Sequence, residues 1–262
     1  MKLLTFLSDF GSKSNYVSQM KGVALSITDA RIIDITHDIS PQNIREGAYV
    51  LMTSIKHFPI GTVHVAVVDP GVGTIRRGIV ITTKTQILVG PDNGLLIPAA
   101  RNLGNFTVYE ITNPNFMSKT ISNTFHGRDI FTPVAANILN GIMFDKIGPV
   151  TNHFVDLDFG KYKLREKTVT GNIIYIDSFG NIITNIDGVN FKKVLNYDKK
   201  IMLFIGDKRL EIPFIKSYNF VKKGEFLATI GSSELLEISL NQGNAAKKLK
   251  IKPDDEIKIL FD

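Results

Sequence analysis

The hydrophobic pattern of the chain changes near Lys167, and this change constrains the fold more than any other feature. Before it, short runs rich in β-branched residues alternate with segments of helical spacing; after it, apolar residues recur at every second position between turn residues. The first pattern indicates a layered α/β domain and the second an antiparallel barrel or sandwich. We predict an α/β domain with a mostly parallel central sheet over residues 1–151, a linker over 152–166, and an all-β antiparallel barrel over 167–262.

The first part contains predicted strands and helices in alternation. The strands cover residues 3–7, 31–36, 62–69, 78–83 and 86–89. Their continuous apolar character is typical of strands that are buried on both faces of a sheet. One helix covers 44–58 and follows Ser40 and Pro41, a suitable cap and first-turn pair. The other covers about 128–140, with Gly141 as its C-terminal stop.

The second part consists of predicted strands alone. They cover residues 169–176, 182–186, 201–205, 209–213, 226–230, 235–240 and 256–261. Gly206 and Asp207 separate two of these runs, which is a strong hairpin signal. Because no segment here has convincing helical spacing, we predict no helix in this part.

The composition excludes several kinds of chemistry. The chain has no cysteine, which excludes disulfides, zinc–thiolate sites and thiol nucleophiles, so any catalysis must use oxygen or nitrogen groups. The apolar run at the N-terminus stops at Asp9, too early for a secretory signal, and indicates a first buried strand instead. No apolar stretch approaches the roughly 18 residues of a membrane span. We expect a soluble, cytoplasmic protein that does not bind a membrane.

The formal net charge of +6 permits an anionic partner. Much of the excess comes from lysine pairs in the second part of the chain, at 192–193, 199–200, 222–223 and 247–248. These pairs are not interleaved with aromatic residues, and nothing resembles a recognition helix or a base-stacking motif. We therefore interpret them as solvated surface and disfavour nucleic-acid binding.

The segment VVDPGVGTIRR at 67–77 is the sharpest chemical feature. It places a carboxylate, Asp69, at the end of a predicted buried strand and a guanidinium, Arg76, one loop later. Loops that follow the strands of an α/β sheet are where such proteins build their sites. The alternative is a simple turn with solvated arginines. The spacing matches neither the dinucleotide fingerprint nor the phosphate-binding loop.

A second polar cluster, SNTFHGRDIF at 122–131, lies at the start of a predicted helix. Exposed backbone N–H groups and the helix dipole can hold an electron-rich group there. We expect the dipole to lower the pKa of His126, which would then act as a neutral hydrogen-bonding group. The alternative is a capping segment in which His126 has no chemical role. No histidine has the spacing of a metal-binding motif, and we predict no metal site.

Short polar loops next to strands form a third group. They read SDFG at 8–11, PDNG at 91–94 and DSFGN at 177–181. A carboxylate can accept both hydroxyls of a ribose, aromatic rings can sandwich an adenine, and an amide can pair with its edge. Each loop alone is explained as a turn. Together they would suit a nucleoside.

These segments, in this order and followed by GNAA at 243–246, resemble the S-adenosylmethionine (SAM) hydroxide adenosyltransferase family, which is related to the fluorinase and chlorinase enzymes. The resemblance extends over nearly the whole chain. It implies an N-terminal α/β domain followed by a β-barrel, as predicted above. It also implies an enzyme that hydrolyses SAM to adenosine and L-methionine by attack of water at the ribose C5′, without a cofactor.

The resemblance assigns roles to individual residues. The hydrolytic branch has an Asp-Arg-His triad, which corresponds here to Asp69, Arg76 and His126. At the ribose, the expected contacts are Asp9 with the hydroxyls and Phe125 against the ring. On the adenine side they are Asp177, Phe179 and Asn181, with the backbone near Asn244 and Ala245. Ser232 is expected at the methionine end. The halogenating relatives have an arginine beside that serine, whereas this chain has Ser233, so the contacts of the methionine carboxylate stay open.

Family resemblance further implies a homotrimer with active sites at the subunit interfaces. Two alternatives remain at this stage. One is a halide-using synthase that makes a 5′-halo-5′-deoxyadenosine from the same substrate. The other is a non-catalytic protein that binds a nucleoside or a nucleic acid. The residues alone do not indicate which member of the triad would accept the proton.

Overall fold

The structure is a computed structural model that describes residues 1–262. It divides into two compact units, Met1–Asp158 and Phe159–Asp262. No helix combines the length and the apolar composition that crossing a membrane requires. The lysine pairs of the second unit are exposed, as expected for solvated surface.

The first unit is built on a six-stranded sheet. Its strands are β1 Leu3–Ser8, β2 Arg31–Thr36, β3 Val63–Val67, β4 Gly78–Thr83, β5 Ile87–Pro91 and β6 Phe106–Glu110. Their spatial order is β2-β1-β3-β5-β4-β6. The pairings among β2, β1, β3 and β5 are parallel, and β4 is antiparallel to both of its neighbours. The mostly parallel sheet is confirmed.

Burial along the strands follows their place in the sheet. β1 and β3 lie inside it and are buried at every position. β2 is an edge strand whose residues are exposed or half-buried, so the prediction that it is buried on both faces is wrong. The apolar residues Ile32, Ile33 and Ile35 concealed this, because a β-branched run looks the same at an edge as in the middle of a sheet.

The helices of the first unit are α1 Tyr16–Ile27, α2 Ile44–Ile55, α3 Ile97–Asn102, α4 Thr132–Leu139 and α5 Phe144–Ile147. The cap of α2 is Asn43, whose side chain accepts from the Glu46 N–H, and not the predicted pair Ser40 and Pro41. The predicted helix over 128–140 begins as a π-helical turn at Gly127–Phe131 before α4. Gly141 follows its end with a φ of 92°, a conformation that glycine adopts without strain.

The second unit is a closed β-barrel. Its strands are β7 Lys163–Arg165, β8 Thr168–Ile176, β9 Ile182–Asp187, β10 Lys199–Ile205, β11 Lys208–Phe214, β12 Phe226–Ile230, β13 Leu235–Leu240 and β14 Glu256–Leu260. The order is β14-β10-β11-β12-β13-β9-β8-β7, and a further pairing of β14 with β8 closes the ring. The barrel is confirmed, with one parallel contact between β11 and β12. Gly206 and Asp207 form the predicted hairpin between β10 and β11.

Two short helices, α6 Gly188–Val194 and α7 Ala245–Leu249, also belong to this unit. The prediction that it contains no helix is therefore wrong. Asp187 and Asn244 cap them by accepting from backbone N–H groups in the first turn. Both helices are too short for a periodic apolar signal, and they form because their apolar residues pack onto the barrel core.

Aromatic packing in the barrel core sets an expectation for stability. Phe214 is fully buried, with its ring centroid 5.2 Å from that of Phe191 and 4.6 Å from that of Tyr197. We expect Phe214→Ala to lower the free energy of unfolding by about 3–5 kcal/mol, because it leaves a cavity. The matched control is Phe220→Ala, since Phe220 is 68% exposed. Urea unfolding of both variants checks this, and equal effects would contradict the packing described.

Candidate active site

The first candidate site lies beyond the carboxyl ends of β1 and β3. These strands are adjacent and parallel, with Ser8 paired to Val67. Asp9 directly follows β1, and Asp69 comes two residues after β3. Both carboxylates therefore emerge at one edge of the sheet, which is the place where open α/β sheets bind ligands.

Arg76 joins the other two members of the predicted triad. Its Nε donates to Asp69 Oδ1 at 3.1 Å and its Nη2 to Asp69 Oδ2 at 2.7 Å. The same Nη2 lies 2.9 Å from His126 Nδ1. The side chains of Arg76 and Asp69 are only 9% and 4% exposed. The structure thus brings all three residues together, in a largely buried ion pair with the imidazole beside it.

This contact determines the tautomer of His126. A guanidinium only donates hydrogen bonds, so Nδ1 of His126 must be the acceptor and the ring hydrogen of the neutral form lies on Nε2. Burial and the neighbouring charge of Arg76 lower the pKa of His126 below its ordinary value. His126 is therefore neutral at physiological pH and presents Nε2–H as a hydrogen-bond donor.

The pKa of Asp69 is shifted in the opposite direction from that of His126. Burial raises the pKa of the Asp69 carboxyl above its ordinary value, and the charge of Arg76 opposes this rise. Both oxygens of Asp69 accept from the Arg76 guanidinium, which favours the ionised form, and the raised pKa makes this carboxylate more basic than an exposed aspartate. Arg76 cannot play this part, because a guanidinium keeps its proton.

Close backbone contact holds the two loops together. Gly73 has a φ of 76°, and a Cβ at this position would meet the backbone oxygen of Asn123 at 2.2 Å. Only glycine lets the loop of Asp69 and Arg76 approach the loop of His126 so closely. The buried Asp129 holds the second loop, because it accepts from the Ser122 N–H at 2.9 Å.

A cleft of about 380 Å³ opens beside these groups. Asp69 and His126 line it together with the predicted residues Asp9 and Phe125. Asp9 Oδ2 accepts from the backbone N–H of Gln42 at 2.8 Å, which orients the carboxylate. The cleft wall therefore contains four of the five site residues predicted in the first unit; Arg76 is not part of the wall and contacts it through Asp69 and His126.

Sequence reasoning missed the aromatic wall of this cleft. The rings of Phe10, Tyr16 and Phe125 lie within 5.2–5.7 Å of one another, and Arg128 lies 4.9 Å above the Phe125 ring. Phe10 stood in a recognised polar loop but was not selected. Tyr16 begins α1, where only Met20 and Ala24 are buried, so the helix had no clear amphipathic pattern to draw attention to it.

The loop at 91–94 has a structural role. Asp92 is buried and pairs with Arg77 at 2.6 Å, while its other oxygen accepts from the Val155 N–H at 2.8 Å. Asn93 donates to the backbone oxygen of Val68 at 2.8 Å. These contacts occupy the polar groups of the loop, so its suggested part in nucleoside binding receives no support from the geometry.

The second unit has a pocket of its own, of about 940 Å³. The predicted residues that line it are Asp177, Phe179, Asn181, Ser232 and Asn244. Ala245, whose backbone was predicted to contribute, is fully buried at the start of α7 and is not part of the pocket wall.

Hydrogen bonds organise the loop at 177–181. Asp177 Oδ1 accepts from the N–H groups of Phe179 and Asn181 at 2.9 Å each, and Asn181 Nδ2 donates to Asp177 Oδ2 at 2.8 Å. Gly180 has a φ of 83°, and a Cβ there would overlap the side chain of Asn244. The loop thereby leaves Phe179 75% exposed, as an aromatic face without a stacking partner in its unit.

The residues of this pocket that were not anticipated include Lys216, Tyr218 and Glu237. A signal for Glu237 was present in the sequence. Leu236, Ile238 and Leu240 belong to the barrel core, so Glu237 faces the other side of β13, and an acidic residue inside the run LLEISL is unusual for a buried strand.

Comparisons with known proteins identify the family of the chain. Residues 4–148 match the SAM hydroxide adenosyltransferase N-terminal domain, and residues 171–258 match the C-terminal domain of the same family. The "(R)-S-adenosyl-L-methionine hydrolase" of Methanocaldococcus jannaschii is 42% identical, over 100% of this chain and 97% of the relative.

A solved structure of an uncharacterized conserved protein from Thermotoga maritima has a TM-score of 0.93 at 39% identity, covering 98% of this chain and 99% of that one. A fluorinase of Nocardia brasiliensis is more distant, at 24% identity over 98% of this chain and 96% of the relative. Both family domains and a full-length relative are thus matched. The chain belongs to the SAM hydroxide adenosyltransferase family.

Proposed function

We propose that this protein is an enzyme that hydrolyses S-adenosyl-L-methionine, as the (R)-sulfonium epimer, to adenosine and L-methionine. The observation that carries the proposal is the contact of the Arg76 guanidinium with both Asp69 and His126, which line one cleft together with Asp9. The 42% identity to a relative named for this activity, against 24% to a fluorinase, favours water over halide as the nucleophile.

The substrate supplies its own leaving group. Water attacks C5′ of the ribose, a C5′–O bond forms, and the C5′–S bond breaks with its electron pair going to sulfur. The sulfonium becomes the neutral thioether of methionine, so the leaving group needs no acid. One proton is released from the water. The task of the site is to position a weak nucleophile in line with the C5′–S bond and to accept that proton.

Asp69 is the proton acceptor in this proposal. The Arg76 guanidinium donates to both of its oxygens and so favours the ionised form, and burial makes it more basic than a solvated aspartate. His126 cannot accept through Nδ1, which already accepts from Arg76, and its role is to orient the water oxygen through Nε2–H. Arg76 stabilises the hydroxide-like oxygen electrostatically. Its hydrogen bonds to Asp69 and His126 also fix the position of these two side chains relative to each other.

Substrate contacts follow the chemistry of the two pockets. The Asp9 carboxylate accepts the ribose hydroxyls, and Phe125 packs against the sugar. In the second unit, the exposed ring of Phe179 stacks on the adenine and Asn181 meets its edge. Ser232 contacts the methionine end. For the assembly we propose, as the family resemblance implies, a homotrimer in which one subunit's cleft and a neighbour's pocket complete each site.

The first test is a product assay with purified protein and each sulfonium epimer, with and without chloride. We expect equal amounts of adenosine and methionine from the (R) epimer, independent of chloride. We expect Asp69→Asn to lower the turnover at least about a hundredfold, because the variant has no base for the water. The control is Asp29→Asn, an exposed aspartate of the same unit. A chloronucleoside would identify a halide-using synthase, and binding without product a non-catalytic protein.

The role of His126 is tested by nuclear magnetic resonance. In ¹⁵N-labelled protein we expect neutral His126 with hydrogen on Nε2 and a pKa below the ordinary value of about 6.5. Arg76→Gln should raise this pKa, because it removes one of the two causes that lower it. Arg101→Gln, which changes a surface arginine of α3, should leave the titration as it is. A hydrogen on Nδ1 in the wild-type protein would exclude the proposed arrangement.

Shared sites are tested by mixing two inactive variants, one altered in each unit. Asp69→Asn and Asn181→Ala are co-expressed with different tags, and the mixed oligomers are purified. If each site of a trimer combines two adjacent subunits, every mixed trimer has one of its three sites without a substitution, so about a third of the wild-type activity should return. Sites contained within one chain would show no recovery.

A further inference from the structure

Three polar side chains form a connected row behind the cleft of the first unit: Asp34, His37 and Ser8. Ser8 is fully buried at the end of β1, and His37 is 7% exposed directly after β2. Ser8 Oγ lies 2.7 Å from His37 Nδ1, and His37 Nε2 lies 3.1 Å from Asp34 Oδ1. The second contact is within ion-pair distance but is not aligned for a hydrogen bond. None of the three residues lines the cleft.

The carboxylate of Asp34 sets the direction of the hydrogen bond at Ser8. Burial favours the protonated form of Asp34, but Lys21 and His37 outweigh it and hold the pKa of this carboxyl below its ordinary value. An ionised carboxylate only accepts, so the ring hydrogen of neutral His37 lies on Nε2. Nδ1 therefore accepts from the Ser8 hydroxyl. The Ser8 oxygen in turn accepts from the Phe10 N–H at 3.3 Å.

The same residue types form the catalytic triad of serine hydrolases, but this row cannot act in that way. Ser8 is 0% exposed, so no substrate can reach its oxygen. The ring nitrogen beside the serine is Nδ1, whereas a hydrolase uses Nε2 to take the serine proton. The role of the row must therefore be one of position and not of nucleophilic attack.

His37 joins two loops that meet at the cleft, the Asp9 loop (residues 8–12) and the His37 loop (residues 37–42). Its backbone carbonyl accepts from the Gly11 N–H at 2.7 Å. Its imidazole accepts from the Ser8 hydroxyl, also at 2.7 Å, on the buried side. One residue of the His37 loop thus contacts the Asp9 loop at two points, and these contacts fix how closely the loops approach.

The far end of the His37 loop orients the Asp9 carboxylate. The Gln42 N–H donates to Asp9 Oδ2 at 2.8 Å, and both residues line the cleft. Gln42 has a φ of 63°, in the left-handed region that residues other than glycine rarely adopt. Such a strained conformation persists only where the surrounding structure holds the backbone. The N–H of Gln42 therefore faces Asp9 only while the His37 loop is held in place.

We propose that His37 is a positioning residue for the sugar end of the substrate. It holds the His37 loop against the Asp9 loop, so that Gln42 keeps the Asp9 carboxylate in the orientation that accepts the ribose hydroxyls. The inference rests on the proposed function for the role of Asp9. A carboxylate that is already ordered loses less of its binding energy to ordering than a mobile one, which is the advantage of this arrangement.

The test compares two nucleosides by calorimetry: adenosine, and 2′,3′-dideoxyadenosine, which lacks both ribose hydroxyls. Neither carries a sulfonium, so binding is measured without hydrolysis. The wild-type protein should bind adenosine at least about tenfold more tightly, because its hydroxyls donate to a charged group. His37→Ala should weaken adenosine about threefold to tenfold and leave dideoxyadenosine unchanged. His37→Asn should restore most of the preference, since its amide oxygen can accept from Ser8.

The matched control is His64→Ala. His64 is also a buried histidine of this sheet with a hydroxyl partner, since its Nδ1 lies 2.6 Å from Thr5 Oγ1, but it does not line the cleft. Its loss should lower stability and leave the preference between the nucleosides unchanged. Asp9→Ala should reduce the preference, and adding His37→Ala to it should have no further effect, because both changes act on one contact.

Ser8→Ala removes the same hydrogen bond from its other side and serves if His37→Ala does not fold. Equal weakening of both nucleosides by His37→Ala would indicate a structural role and overturn the inference. A preference that falls with Asp9→Ala but not with His37→Ala would also overturn it, while the proposed function would stand. A wild-type protein that binds both nucleosides equally would contradict the role of Asp9 in the proposed function, and the inference with it.

Discussion

The ion pair of Asp69 and Arg76 is the interaction on which the first site depends. A carboxylate that is almost fully buried must have a fixed opposite charge, and Arg76 provides it from the same loop. Because the guanidinium donates to Asp69 and to His126 together, it positions the imidazole and selects its tautomer. The close contact of Gly73 with Asn123 makes this arrangement possible, since any side chain at Gly73 would separate the two loops.

The buried carboxylates of the two units are stabilised differently. In the first unit, arginines neutralise the buried carboxylates, as in the ion pairs of Asp69 with Arg76 and of Asp92 with Arg77. In the barrel, Glu237 receives only neutral hydroxyls, and Thr229 has no partner at all. A complete set of pairs suits a site that must keep one geometry during a reaction. An incomplete set suits a site that gains its missing charge from a ligand.

Local signals predicted those features of the fold that local energetics decide. The Gly206–Asp207 hairpin and the helix stop at Gly141 depend on the backbone freedom of glycine, which acts within a few residues. The exposure of β2 and the presence of α6 and α7 depend on which element lies beside them, and the prediction failed at these places. The cap of α2 shows the same limit, because Asn43 and Ser40 are both good capping residues and the path of the preceding loop selects one.

The sequence by itself determined the two-part architecture, the family, and the identity of the groups at the strand ends, because periodicity, spacing and motif order are properties of the chain. It placed Asp9, Asp69, Arg76 and His126 among the candidates. Only the tertiary structure decided that Arg76 donates to His126, that burial raises the pKa of Asp69, and that Glu237 stands without a cation. These properties depend on burial and on partners distant in sequence, such as the 50 residues between Arg76 and His126, and such contacts exist only once the chain has folded.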